Sequence, residues 1–101
     1  MFIYIYYKKK MIIPTEKDLQ TIDQYNINTK MCYLQLPDTY INDFMSIIDT
    51  TILSKYQTIS EEIAKKYYNK IDWDIVDIYN KNGTNKTNIN LINKYKKINK
   101  Y

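Results

Sequence analysis

Histidine and arginine do not occur in this chain of 101 residues, and cysteine, glycine and tryptophan occur once each. Each gap closes a class of chemistry. Without histidine, the commonest general base and the commonest metal ligand are both missing. A lone cysteine, Cys32, makes neither a disulfide nor a structural zinc site. A single glycine, Gly83, excludes a glycine-rich phosphate cradle. No uncharged run approaches the roughly 18 to 20 residues that a membrane span needs. The expectation is a protein that is not an enzyme and holds no cofactor and no metal.

What is present is skewed. All 15 basic residues are lysine, and 12 tyrosines stand among the 101 residues. With the many isoleucines and asparagines, these are residue types that A- and T-rich codons supply. The apolar start Met1 to Tyr7 precedes Lys8-Lys9-Lys10, the reverse order of a signal peptide, so an intracellular or virion location is expected rather than secretion. Charge is divided along the chain: residues 1–12 carry +3, residues 13–79 carry −5 and residues 80–101 carry +6, against a total of +4. A mildly acidic body with basic ends reads either as solubility or as attraction to an anionic partner.

The expected fold class is mainly α, with a small N-terminal β-hairpin. Residues 1–35 read as strand, helix, strand: Phe2–Tyr7 and Met31–Leu36 are the strands. The helix between them starts at Pro14-Thr15-Glu16-Lys17-Asp18, where Thr15 and Asp18 have capping-box spacing, and runs to about Tyr25. Asn26-Ile27-Asn28 should break it.

Residues 36–57 and 59–80 align at a fixed offset of 23: Leu36 on Ile59, Phe44 on Tyr67, Ile48 on Ile71, Asp49 on Asp72, Ile52 on Ile75 and Tyr56 on Tyr79. Each copy reads as paired helices. Ile41, Phe44, Ile48, Ile52 and Tyr56 form one apolar stripe at three- and four-residue steps, and Ile59, Ile63, Tyr67, Ile71, Ile75 and Tyr79 form the other. Asp49, Asp72 and Ser60 are predicted N-caps. Two stacked helical hairpins over residues 36–80 would bury both stripes. Residues 13–35 open with Ile13-Pro14 as the first copy opens with Leu36-Pro37, a degraded third copy. The single domain is expected to end at residue 83, with 84–101 a basic tail rich in lysine and asparagine.

Two resemblances follow. Ile59 to Ile75, with its Ser60-Glu61-Glu62 opening and Asp72-Trp73 close, resembles one unit of the short helical repeats common in large DNA viruses of amoebae, which implies a viral origin. Leu36-Pro37-Asp38, then Ile41, Phe44, Ile47-Ile48-Asp49, Ile52-Leu53 and Ile59-Ser60, resembles the opening of the F-box, whose family binds the Skp adaptor of cullin ubiquitin ligases. Thr39 and Ile63 depart from that pattern, where the family has Glu and a bulky aromatic. The resemblance implies an adaptor whose Leu36, Pro37, Ile41, Phe44, Ile48, Ile52 and Leu53 face a protein partner; as ordinary core they would do no such thing.

Several other residues have two readings. Trp73 packs between the hairpins or anchors a partner. Asp72, Asp74 and Asp77 cap and solvate helices, since no calcium-loop spacing accompanies them. Cys32 reads as a small buried hydrophobe. Asn82-Gly83-Thr84 and Asn85-Lys86-Thr87 fit the glycosylation pattern but read as a turn and linker. In the tail, Leu91, Tyr95 and Ile98 alternate with Lys94, Lys96, Lys97 and Lys100, a short basic amphipathic helix that could contact RNA or single-stranded DNA. A structural part in a larger complex is the third functional alternative.

Overall fold

The computed structural model describes residues 11–98. Thr15 opens α1 (Glu16–Gln20) with a full capping box: its Oγ1 accepts from the Asp18 amide at 3.1 Å, and an Asp18 carboxylate oxygen accepts from the Thr15 amide at 2.9 Å. The helix stops five residues short of Tyr25, because side chains in the next segment offer the backbone other partners. Asp23 accepts from the amides of Tyr25 and Asn26, and Asn26 bonds both the Asp23 amide and the Thr21 carbonyl. Asn26-Ile27-Asn28 therefore starts a helix instead of breaking one: α2 is Ile27–Lys30, with Ile27 and the following Met31 wholly buried.

Of the two expected strands, Met31–Leu36 is not found. Phe2–Tyr7 lies outside the described residues, and Met31–Tyr33 continues in helical turns, with Met31 bonded to Ile27 and Leu34 to Lys30. One isolated parallel bridge joins Ile12 to Leu34, where a hairpin would have been antiparallel. Among the described residues the remaining regular elements are all helices.

The centre holds α3 (Asp38–Phe44), α4 (Thr50–Tyr56), α5 (Glu61–Tyr67) and α6 (Trp73–Lys81), followed by α7 (Ile89–Ile98). The 23-residue register holds at each start: Pro37 and Ser60 are the N-caps of α3 and α5, Asp49 and Asp72 those of α4 and α6. Asp49 accepts from the amides of Thr51 and Ile52, Asp72 from Ile75, and Ser60 from Ile63, as their positions predict. The amides of both Asp caps are tied to a side chain of the preceding segment: Asn28 Oδ1 accepts the Asp49 amide at 2.7 Å, and Ser54 Oγ accepts the Asp72 amide at 3.0 Å. The second helices stack, α4 on α6 and α6 on α7, with α5 also reaching α7.

The apolar stripes do not run straight through each copy. At Asp49 and Asp72 the chain turns, and the buried face shifts by one residue. Leu53 and Val76 are the inward residues of α4 and α6, while Ile52 and Ile75 are only half-buried. Ile41, Ile48, Ile59, Ile63 and Ile71 are buried as their spacing predicts.

Candidate partner surface and the C-terminal helix

The seven residues expected to face a partner divide sharply. Leu36, Ile41, Ile48 and Leu53 are buried in the core, each exposing 8% or less of its surface. Phe44 and Ile52 are half-buried against that core, and of the seven Pro37 alone is exposed. A docking face made of all seven does not exist in the folded chain, because the core of so small a domain needs its largest aliphatic residues. What remains open on this side is a ridge along and just beyond α3. Phe44 stacks on Tyr40 with ring centroids 6.4 Å apart, and Ile47, three residues on, is 42% exposed.

The expected tail is also not a tail. Gly83, at φ +88°, ends α6 in a Schellman turn: its amide bonds the Asn80 carbonyl and that of Thr84 bonds Tyr79. The chain then re-enters the core. Asn85, Thr87, Ile92 and Tyr95 are all buried, so residues 84–98 complete the domain that was expected to end at 83. Trp73 stacks on Tyr95 at 5.1 Å and donates its Nε1–H to the Tyr68 carbonyl at 3.0 Å, so its partner is α7 and not a second hairpin.

The residues proposed for nucleic-acid contact fare unevenly. Tyr95 is beneath the surface and unavailable for base stacking. Lys96 is bound to Asp77 at 2.6 Å and lies 3.9 Å from Asp74; Lys94 and Lys97 are exposed; Lys100 is outside the described residues. The Lys96 hydrogen bond holds the Asp77 carboxyl below its usual range, with a second bond from Lys81 acting the same way. Reciprocally, Asp77 raises the Lys96 ammonium. The basic face of α7 is thus partly neutralised by α6, and the ion pair clamps the two helices together.

A polar spine, invisible in the motif reading, joins these parts. Gln57 is wholly buried; its Nε2 donates to the Met31 carbonyl at 2.8 Å and to the Leu34 carbonyl at 2.6 Å, while its Oε1 accepts the Leu36 amide at 2.9 Å. Asn85 donates to the carbonyls of Ser54 and Gln57, and its Oδ1 accepts from the Thr87 amide and hydroxyl. The Asn85 amide nitrogen is fully engaged, so this sequon offers no group for a glycan in the folded chain. Cys32 is half-buried with its thiol directed at the Asn28 carbonyl. Among the described residues, no group of three histidine, cysteine, aspartate or glutamate side chains is placed to hold a metal ion, and no helix is long and apolar enough to cross a membrane.

No family model, no curated protein and no solved structure matches this chain.

Proposed function

We propose that the chain is a non-enzymatic protein-interaction module acting as an F-box-like adaptor for a Skp–cullin ubiquitin ligase. One observation supports the broader part of this reading: helices with caps at one 23-residue register, with the equivalent N-cap amides of Asp49 and Asp72 each bonded to a side chain of the preceding segment. Such stacks offer extended side-chain faces for binding. The Skp-directed part draws support from the order α3, α4, α5 behind Leu36-Pro37. The residues that would touch the partner are Pro37, Phe44 and Ile52, joined by Ile47; the buried Leu36, Ile41, Ile48 and Leu53 would only hold them in place. A few anchors of this kind are enough to carry a helix-groove contact.

The test is capture of a purified Skp-type adaptor by the full chain and by Phe44→Glu. Capture by the wild type, with at least an order of magnitude lost in the variant while the circular dichroism spectrum is unchanged, supports the reading. Absence of capture by the wild type removes the Skp-directed part and leaves the repeat architecture standing.

A further inference from the structure

The 23-residue register also places six side chains on the outer face of the stacked second helices. Ile52, Lys55 and Tyr56 of α4 stand at three- and four-residue steps, as do their equivalents Ile75, Ile78 and Tyr79 of α6. Contacts show that the two triplets share one surface: the Tyr56 and Tyr79 rings meet edge to face at 6.0 Å, and Lys55 Nζ lies 5.7 Å from the Tyr79 ring centroid. Ile78 is 59% exposed, and the other five are half-buried. Neither tyrosine hydroxyl has a hydrogen-bond partner among the described residues, whereas those of Tyr40 and Tyr67 bond Leu19 and Asn42.

Charge decides what this strip accepts. The first helices of the copies carry acids, Asp38 and Asp43 in α3, Glu61 and Glu62 in α5; α2 and α4 carry none, only Lys30 and Lys55. The two acids of α6 are taken by neighbours, Asp74 by Lys96 and Asp77 by Lys96 and Lys81. Lys55 pairs with no carboxylate among the described residues, so the strip combines isoleucine and tyrosine surface with an uncompensated cation. We propose that it is a docking site for an acidic amphipathic segment of a partner protein. Apolar side chains of that segment sit over Ile52, Ile75 and Ile78, while its carboxylates meet Lys55 and accept from the Tyr56 and Tyr79 hydroxyls. Three isoleucines and one free lysine favour such a peptide over a polyphosphate chain, whose affinity grows with the number of cations. The proposal rests on the chain being an interaction module, but not on Skp binding, which shares only Ile52 with this strip and otherwise uses Pro37, Phe44 and Ile47.

Fluorescence anisotropy tests it with three labelled probes: a synthetic amphipathic helical peptide with glutamates on its polar face, the same peptide with every glutamate changed to lysine, and oligo(dT). The full chain should bind the acidic peptide about tenfold or more tightly than the basic one. Lys55→Glu and Ile78→Glu should each weaken that binding by about tenfold with unchanged circular dichroism, and Phe44→Glu should leave it as it was. Equal binding of both peptides, indifference to Ile78→Glu, tighter binding of oligo(dT), or no binding of the acidic peptide would each overturn the proposal. Skp capture retained in the face of those results keeps the adaptor reading; the converse separates the two in the other direction.

Discussion

Asn85 donates its side-chain amide to the Gln57 carbonyl at 2.9 Å, and through this bond the segment after α6 is fastened to the end of α4. Gln57 passes the connection on to Met31, Leu34 and Leu36, so three stretches of chain meet around two buried amides. Removing either amide leaves buried carbonyls without donors, which costs more than the hydrogen bond itself contributes. Asn85→Ala and Gln57→Ala should each lower the unfolding free energy by about 2 to 4 kcal/mol, read from urea denaturation. A change under about 0.5 kcal/mol would show the spine to be ornamental.

Much of this was legible in the residues, and what was not has identifiable physical causes. The caps Thr15, Asp49, Ser60 and Asp72 and the 23-residue register were readable, because capping depends on a side chain and amides two or three residues away. Burial of Ile41, Ile48, Ile63 and Ile71 followed from spacing. The docking face failed because apolar periodicity marks a buried side without saying whether it is buried by the chain or by a partner. The Met31–Leu36 strand failed because its carbonyls are taken by Gln57, a contact across 26 and 23 residues that local propensity cannot register. The tail was misread through its lysines, while Ile92 and Tyr95, the residues that pull it inward, stood between them. One signal was available: Gln57 and Asn80 hold the same register position, and each donates its amide to two backbone carbonyls.

Core and surface residues on the Leu36–Leu53 segment should separate in a stability measurement. Leu53→Ala, at a site with no exposed surface, should cost about 2 to 5 kcal/mol. Phe44→Glu should change stability by less, because its ring lies at the edge of the core and already meets water in part. If thermal unfolding showed the two variants equally destabilised, Phe44 would belong to the core and the α3 ridge would not be a contact surface.

The Asp77–Lys96 pair sets a pH dependence whose sign is fixed. Asp77 is depressed below its ordinary value of 3.8 in the folded chain, so its contribution is present above that value and is lost as pH falls through the folded one. Lys96 is raised above 10.5, so its contribution is present below 10.5 and is lost as pH rises through its folded value. Between these limits Asp77→Asn should have a lower Tm than the wild type, and the gap should close in acid as pH falls from 3.8 through the lowered folded value and the wild-type carboxyl takes up its proton. A gap that persists unchanged into acid would assign the destabilisation to packing instead.

Trp73 reports on α7 without a label. Stacked on Tyr95 and nearly sealed from water, it should emit to the blue of a solvated indole; Tyr95→Ala should shift the emission red and lower stability by about 3 to 5 kcal/mol. Emission unchanged by that substitution would mean that α7 does not cover the indole.

Urea unfolding of the full chain beside one ended at Gly83, both followed by Trp73 emission and by helical circular dichroism, tests most directly whether the helical stack extends through residue 98 as one cooperative unit. The full chain should show a single transition that coincides in the two signals, and the shortened chain should lack a cooperative transition, having lost Asn85, Thr87, Ile92 and Tyr95 from its interior. A shortened chain that unfolds with the same midpoint and the same slope would contradict the account.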